Sequence, residues 1–350
     1  MSDNVSGEEQ QQQMEDMLIC ADVWLEVFAF VSRVELGHLM ALISDRFDVL
    51  VDEHFKLRKW SLGSLDIRRA TDGSGAEIVN RSGEQLPLPQ GPIPNKVIGF
   101  ERIWISYVDQ TVIKFLQRIR PLFDSSGTNV EIGTSHFADQ SRSGEIICQK
   151  IWPFVNDNIR RLPRLDPSGL NLLRQFSPTI LRRSANLRSI DFHGLSPAFP
   201  AKDNFEASDE QAMAKWLITQ RKDGLPKMLH CRFYSEGMER LKRAFVNALK
   251  PVNFIIKYWI YGGEGVPFEL ENNLTAERLT LRQMDNKYFW LLVRCPIGRE
   301  EAKWREWEEE AFQLDFCRQS NCLIYLNIND WDIDDGMLDA NDEGPSEPKK

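Results

Sequence analysis

The segment "LRSIDF" (residues 187–192) carries apolar side chains at its first, fourth and sixth positions. The same spacing occurs in "FERIWI" (residues 100–105) and in "MLHCRF" (residues 228–233). Apolar residues two apart indicate a β-strand with one buried face, because successive side chains of a strand point to opposite faces. The three segments therefore predict related strands that belong to one sheet.

Segments with helical apolar spacing, such as "GMERLKRAFVNAL" (residues 237–249), separate strand candidates that recur roughly every 25–40 residues. Strand–helix–strand order favours parallel pairing through right-handed crossovers. The apolar spacing resembles the first half of a leucine-rich repeat, although the Asn or Cys that follows the strand in that family is absent. We therefore predict an irregular, leucine-rich-repeat-like α/β domain with a curved parallel sheet over residues 96–262. A compact open α/β layer fold is the alternative.

The pattern changes after residue 262. "PFELEN" (residues 267–272), "RLTLRQM" (residues 278–284) and "YFWLLVRCP" (residues 288–296) are strand candidates with short gaps, which favours antiparallel hairpins. One helical segment and the strand candidate "CLIYLNI" (residues 322–328) follow. We predict that residues 263–331 form a β-rich cap with one helix that closes an exposed end of the sheet.

The remaining body segment and the two termini lack a folding pattern. Residues 61–95 include "PLPQGPIP" and several glycines, so we predict a Gly/Pro-rich linker, with a proline-rich ligand as the alternative. Residues 1–17 and 332–350 are acidic and poor in apolar residues, so we predict disordered tails. The formal charge is −9, of which the first sixteen residues carry −5 and residues 330–350 carry −6. The near-neutral body argues against general nucleic-acid binding.

The N-terminal segment "ADVWLEVFAFVSRVELGHLMALISDRF" (residues 21–47) begins with a run that is apolar on nearly all sides. Gly37 marks a break after this run, and a second helical pattern follows. We therefore predict a small helical bundle over residues 18–60. A bundle of this size cannot bury all of its apolar surface by itself. A binding partner is therefore expected to cover it.

This segment also resembles an F-box over residues 19–51, and its continuation over residues 52–69 resembles the large nematode F-box families. It departs from the motif at Cys20, where the family usually has Pro, and at Asp45, which is inserted before Arg46. The matching positions are Ile19, Asp22, Val23, Trp24, Leu25, Glu26, Val27, Phe28, Glu35, Leu36, Leu42, Ile43, Ser44, Arg46 and Phe47.

The resemblance implies that the chain is the substrate-recognition subunit of a cullin–RING (SCF-type) ubiquitin ligase. The F-box would dock onto a Skp-type adaptor that is bound to a cullin with a RING subunit, and the downstream domain would hold a protein substrate. Such a subunit needs no catalytic residue and no cofactor, and it acts in the cytoplasm or the nucleus. The residues expected to bind the adaptor are Ile19, Val23, Trp24, Val27, Phe28, Val31, Leu36, Leu42, Ile43, Arg46 and Phe47.

Two other functions stay open at this point. The bundle could be a cap on a repeat-type binding protein unconnected to ubiquitin, or the chain could be an enzyme with an unrecognised site. "SIDFH" (residues 189–193) looks like a catalytic triad, but alternate residues of a strand are about 6.7 Å apart, so His193 could not reach Ser189. The six cysteines show no paired or zinc-binding pattern, and no apolar run reaches the length of a membrane span. We therefore predict neither a metal site nor a membrane anchor.

The side chains opposite the buried face of the strands are the candidate substrate-binding surface. Trp, Tyr and Arg, which are enriched at protein interfaces, occur among them. The residues of this predicted surface are Arg102, Trp104, Asp191, His193, His230, Arg232, Tyr234, Lys257 and Trp259. A separate Arg-rich stretch between Ile159 and Ser189 predicts either an anion-binding surface or a solvated helix face.

Overall fold

The computed structural model describes residues 20–28, 44–57, 60–80, 83–93, 97–124, 127–133, 141–260, 265–313 and 322–337. The chain divides into two compact units. The N-terminal unit comprises residues 1–61 with 94–98, and the larger unit comprises residues 62–93 with 99–350.

Among its described residues, the N-terminal unit contains two helices, α1 (Ala21–Val27) and α2 (Asp45–Leu57). Phe28 and Val51 form the buried centre, and the rings of Trp24 and Phe47 pack against it. The Trp24 and Phe47 rings meet edge to face, with centroids 4.8 Å apart. The described part of this unit is therefore held together by an aromatic cluster. Strand β1 (Trp60–Ser61) follows α2 in the chain and pairs with β5 (Val97–Gly99).

The larger unit is built on one sheet in which the described strands follow the order β12-β13-β14-β11-β10-β9-β8-β7-β15-β6-β2-β3-β4. The central strands from β11 to β2 are parallel, and antiparallel strands flank them on both sides. The prediction of an α/β fold with a large, mostly parallel sheet is confirmed. The strands are β2 (Ser64–Arg69), β3 (Ala76–Asn80), β4 (Gln85–Pro87), β6 (Arg102–Ile105), β7 (Thr128–Ile132), β8 (Ile159–Leu165), β9 (Ser189–Leu195), β10 (Lys227–Arg232), β11 (Phe254–Trp259), β12 (Phe268–Asn272), β13 (Glu277–Gln283), β14 (Phe289–Pro296) and β15 (Leu323–Leu326).

Strands β7 to β11 lie side by side in the order in which they occur in the chain, and a helical segment connects each to the next. Right-handed crossovers added in one direction place their helices on the same face of a sheet. That leaves the other face for different elements. The connections are α3 (Gln110–Asp124) after β6, α4 (Ser141–Ile146), a π-helical turn (Ile147–Ile151), α5 (Trp152–Val155) and a 3-10 turn (Asn156–Asn158) after β7, α6 (Pro167–Phe176) and α7 (Ile180–Arg183) after β8, α8 (Asp209–Leu217) after β9, and α9 (Ser235–Val246) after β10.

Local sequence signals set the beginnings of two of these helices. Asp166 caps α6 by accepting a hydrogen bond from the Gly169 amide at 2.6 Å, and Pro167 occupies the first turn, where no donor is lost. Ser208 and Gln211 form a reciprocal capping box at the start of α8. Each cap begins a helix immediately after the loop that leaves a parallel strand.

The prediction of a linker over residues 61–95 is wrong for most of that segment. β2 pairs in parallel with β6, and β3 and β4 continue the sheet as antiparallel strands. Ile67 is fully buried, and Glu77 on β3 pairs with Arg68 on β2 at 3.0 Å. The described glycines and prolines of this segment lie in turns between short strands and at the ends of strands, so they mark the turns of a sheet rather than a flexible spacer.

The predicted C-terminal cap is also corrected. β12, β13 and β14 do extend one side of the sheet as antiparallel strands, and α10 (Glu301–Gln313) follows them. β15, however, inserts between β6 and β7 and is parallel to both. Ile324 and Leu326 are fully buried there. The last strand therefore completes the middle of the sheet instead of closing its end.

A buried ion pair joins the antiparallel strands to the loop before β11. Arg294 on β14 donates to Glu277 on β13 at 2.6 Å, and neither side chain is more than 5% exposed. Glu277 also accepts the amide of Val252 at 2.8 Å, and Arg294 donates to the carbonyl of Lys250 at 3.2 Å. The pair therefore satisfies backbone groups of the loop as well as itself.

The prediction of a disordered tail over residues 332–350 is wrong for residues 332–337. Val108 and Ile333 form a parallel bridge, the amide of Asp334 donates to the carbonyl of Val108 at 3.0 Å, and Met337 is buried. Residues 332–337 therefore pack on the larger unit. Residues 338–350 and the predicted tail at 1–17 lie outside the described residues.

We expect Glu277→Gln to lower the free energy of unfolding by about 3 kcal/mol, because it leaves the Arg294 guanidinium buried without its counter-charge. Chemical denaturation of the full chain measures this. Glu271→Gln, an exposed carboxylate on the neighbouring strand β12, is the matched control and should change stability by less than about 0.5 kcal/mol. Equal effects of the two substitutions would show that the buried pair contributes nothing specific.

Two C-terminal truncations test the packed segment. Deleting residues 338–350 should leave the denaturation midpoint unchanged, as the sequence predicts for an acidic tail. Deleting residues 334–350 should cost about 2 kcal/mol, because it also exposes the surface that Met337 covers and removes the hydrogen bonds of Asp334. Indistinguishable midpoints for the two truncated chains would contradict the packing of residues 334–337.

Candidate functional site

Strand register lines up one row of side chains across the sheet. Trp104 on β6 is opposite Tyr325 on β15, which is opposite Glu131 on β7. Further along, Asp191 on β9 is opposite His230 on β10, which is opposite Lys257. All lie on one face because paired residues of adjacent strands point the same way. Trp104, Asp191, His230 and Lys257 of the predicted surface therefore do share a face.

Helix α10 covers one end of that face. It contacts β10 and β11, and its Trp304 and Ala311 pack with Met228, Ile255 and Leu291 in a buried cluster. The guanidinium of Arg188, at the entry to β9, makes a two-pronged pair with Glu310 of α10 at 2.7 and 2.8 Å. The helix is thus held on the sheet by both apolar packing and charge.

Three residues of the predicted substrate surface are buried: Asp191, His230 and Lys257. Lys257 is 0% exposed, donates to the carbonyl of Phe312 at 2.8 Å and lies over the rings of Phe289 and Phe312. A cation bound to a carbonyl in the last turn of a helix stabilises that helix end. His230 is 9% exposed and Asp191 is 7% exposed. The prediction that these three side chains face solvent is wrong, because strand alternation alone does not reveal what covers the second face.

The other end of the face opens into a cavity of about 510 Å³. The cavity brings together side chains from five strands. Only three of the lining residues, Arg102, Trp104 and His193, belong to the predicted surface. Its lining comprises Arg102, Trp104, Glu131, Ile132, Gly133, Arg164, Asp166, His193, Leu323 and Tyr325.

An aromatic corner forms one wall of the cavity. The rings of Trp104 and Tyr325 meet edge to face at 4.8 Å, and Trp104 is 39% exposed. Gly133 allows this arrangement, because a Cβ at that position would lie 2.7 Å from the Tyr325 hydroxyl oxygen. Burial and the neighbouring Glu131 raise the pKa of Tyr325, so its hydroxyl remains a hydrogen-bond donor at neutral pH.

A guanidinium–carboxylate pair forms the next part of the wall. Arg164 on β8 donates to Glu131 on β7 at 2.5 Å. Arg164 has a φ of 49°, in the left-handed region, where the β8–β9 register shifts between Leu162 and Leu165. Such a conformation costs about 1 kcal/mol or more in a residue other than glycine. The bulge re-aims Arg164 from the core side of the strand into the cavity.

Asp191 links two histidines beside the cavity. Its Oδ1 is 2.8 Å from His230 Nδ1, and its Oδ2 is 3.7 Å from His193 Nε2. Burial disfavours ionisation of Asp191, but the two imidazoles outweigh it and hold the pKa of the carboxyl well below its usual value. The interaction with Asp191 in turn raises the pKa of His193. This carboxylate–imidazole arrangement favours the protonated, positively charged form of the exposed His193 side chain.

The remaining predicted substrate residues form a second exposed group on the carboxyl side of β10 and β11. Arg232 pairs in register with Leu195 on β9 and with Trp259 on β11, and Tyr234 precedes α9. Trp259, Tyr234 and Leu195 are 37–43% exposed. These side chains do not line the cavity.

The Arg-rich stretch has a structural explanation at several positions. Arg174 is buried, pairs with Asp209 at 2.6 Å and donates to the carbonyls of Asn204 and Ala207. Arg182 pairs with Asp203 at 2.8 Å. With Arg164 and Arg188 paired as described above, the stretch does not form one anion-binding surface.

Sequence reasoning missed three important residues of the cavity. Glu131 on β7 and Tyr325 on β15 alternate with buried residues, which is the same signal that identifies Trp104. The sequence, however, predicts that β15 belongs to the cap. Arg164 is not predicted because strand alternation places its side chain on the core side. Only the bulge turns the side chain toward the cavity.

The predicted adaptor-binding residues fall into three groups. Val23 and Val27, one helical turn apart on α1, are 49% and 40% exposed, and Arg46 is exposed on α2. Phe28 is 1% exposed, and Trp24 and Phe47 pack against it, so Phe28 belongs to the core of the bundle rather than to an accessible surface. Five predicted residues lie outside the described residues: Ile19, Val31, Leu36, Leu42 and Ile43.

No protein-family model matches the chain, and no curated protein shows significant similarity to it. Over the described ranges, no helix has both the length and the apolar character needed to cross a membrane.

Replacing Asp191 by Asn should lower stability in a pH-dependent way. The depressed pKa of Asp191 stabilises the fold above its ordinary value of 3.8, and the raised pKa of His193 stabilises it below the ordinary value of 6.5. The loss in unfolding free energy should therefore be largest between these two values. It should shrink as the pH falls through the titration of Asp191, or rises through that of His193.

Urea denaturation of wild type and variant over this pH range makes the measurement. His193→Gln is the matched control, and it should remove only the change at the upper end of the range. A stability difference that does not vary with pH would contradict the coupling of Asp191 to its imidazoles.

Proposed function

We propose that this chain is the substrate-recognition subunit of a cullin–RING (SCF-type) ubiquitin ligase. Its N-terminal unit would bind a Skp-type adaptor, and its larger unit would bind a protein substrate. The observation that carries the proposal is the resemblance of residues 19–51 to an F-box, with many spaced positions in agreement. The division of the chain into a small helical unit and a large α/β unit suits these two tasks.

The exposed face of α1 supports adaptor binding. Val27 is four positions after Val23, about one helical turn, so the two side chains lie on the same side of the helix. Both are more than a third exposed, whereas Phe28 and Val51 fill the interior of the bundle. An apolar pair displayed by a small bundle is the kind of surface that a partner helix covers.

The open end of the sheet supports substrate binding. The cavity combines an aromatic corner with charged side chains, and a second exposed group around Arg232 and Trp259 lies on the same face. Interfaces between proteins are enriched in Trp, Tyr and Arg. The leucine-rich-repeat-like order of β7 to β11 would present this face to the substrate, as repeat proteins present their concave surfaces.

In this proposal the chemistry of ubiquitin transfer takes place on another protein. The recruited conjugating enzyme carries the thioester, so the chain itself acts without a catalytic residue or cofactor, in the cytoplasm or the nucleus. Ubiquitin transfer then requires only that the chain hold the adaptor and the substrate at once.

Val23→Asp with Val27→Asp should abolish co-purification with a Skp-type adaptor, because each charge would be desolvated in the contact. Phe28 is unsuitable for this test, since a charge at its buried position would unfold the bundle. Pulldown of the full chain with recombinant adaptor measures binding, and circular dichroism verifies that the variant is folded.

Val49→Asp is the matched control, because Val49 is 66% exposed on α2 and is not among the predicted adaptor-binding residues. This variant should bind the adaptor like the wild type. If the wild-type chain fails to bind any Skp-type adaptor, or if the folded double variant still binds, the docking proposal is wrong.

A further inference from the structure

Charge is arranged in two layers around the cavity. Two buried carboxylates lie against the cations of the cavity: Glu131 lines the cavity and Asp191 lies beside it, and only 8% and 9% of their side chains are exposed. The cations above them reach solvent, with 59% of Arg164 and 53% of His193 exposed. Arg102 is also exposed. The cavity therefore presents positive charge at its rim although its lining contains both signs.

Glu131 and Asp191 hold two of the rim cations in place. Glu131 binds one nitrogen of Arg164, and Asp191 lies 3.7 Å from His193. Asp166, the other lining carboxylate, uses one oxygen to cap α6. Cations that are already oriented lose little conformational freedom when a ligand binds, so they recognise anions more strongly than mobile surface lysines.

Arg102 differs from the other two cations. Its side chain makes no hydrogen bond or ion pair with any residue in the described ranges, and it lies two residues before Trp104 on the same face of β6. A guanidinium beside an exposed indole can bind a carboxylate while the ring packs on an adjacent apolar side chain. This combination selects for a peptide rather than for a free small anion.

We infer that the cavity bordered by Arg102, Arg164 and His193 binds an acidic peptide segment whose apolar or aromatic side chain packs in the Trp104–Tyr325 corner. This inference rests on the proposed function, because such a segment would be the part of the substrate that the receptor recognises. The anionic group is an oxygen anion, which a Glu or Asp side chain or a phosphorylated residue supplies.

Binding of such a segment depends on pH through His193. The charged and titratable groups around this imidazole are Asp191 on its own strand, His230 on β10 and Asp166 at the N-cap of α6, and Arg164 on β8 lines the same cavity. The protonated imidazole attracts an anion and the neutral one does not. Affinity for an acidic segment therefore falls as the pH rises through the titration of His193.

Selection of a random linear peptide library on the full-length chain tests the inference. Peptides recovered by the wild type should be enriched in Asp and Glu next to an aromatic or aliphatic residue. Fluorescence polarisation with synthetic copies of these peptides should show that Arg102→Glu weakens binding about tenfold or more. Replacing their Glu by Gln should do the same, and replacement by phosphoserine distinguishes a carboxylate site from a phosphate site.

Arg120→Glu is the matched control, since Arg120 is exposed on α3 and does not line the cavity. It should leave peptide affinity unchanged, and His193→Gln should remove the pH dependence of binding. Recovered peptides without an acidic bias, no recovered peptides, or acidic peptides that bind Arg102→Glu as well as wild type would overturn the inference. The adaptor pulldown is independent of this result, so peptide binding without adaptor binding would refute the ligase proposal alone.

Discussion

The larger unit depends on the insertion of β15 between β6 and β7 as a parallel strand. Without that strand, β6 would have no neighbour on one side, and its backbone donors and acceptors would lose their partners in the middle of a buried sheet. The same insertion connects β2, β3 and β4 to the repeated strands. One strand of four residues therefore joins both halves of the sheet.

This strand also builds the cavity. Tyr325 reaches Trp104 on one side and Glu131 on the other only because all three strands are in register. The position of Gly133 leaves room for the tyrosine hydroxyl, and the bulge in β8 supplies the guanidinium that pairs with Glu131. The site thus combines residues separated by more than two hundred positions in the chain, and packing of the core fixes their arrangement.

Helix α10 decides how much of the face remains available. It buries Lys257 and the apolar residues around Ile255, and it leaves the cavity open at the other end. A fully exposed face would have presented a broad and unselective surface. The partial cover restricts the accessible charge to the rim cations and the group around Arg232.

Local physical chemistry made much of the fold predictable from the amino-acid sequence. Alternating apolar residues identified β6, β9 and β10, because this pattern depends on neighbours a few residues away. The caps at Asp166 and Ser208 begin two helices through equally local contacts. The alternation also placed Arg102 and Trp104 on the exposed face of β6 correctly. The resemblance to an F-box is likewise read from the sequence alone, and it carries the functional proposal.

Long-range packing decided the rest. The three strands between Ser64 and Pro87 are separated by Gly-containing turns, which obscure them in the sequence, and β6 provides the edge with which β2 pairs. Neither the place of β15 nor the burial of Lys257 under α10 leaves a local trace, since each depends on which distant element occupies the neighbouring space. The sequence by itself therefore determined the repeated strands and the helices between them, whereas the tertiary structure decided the pairing of residues 64–87 and which side chains meet in the cavity.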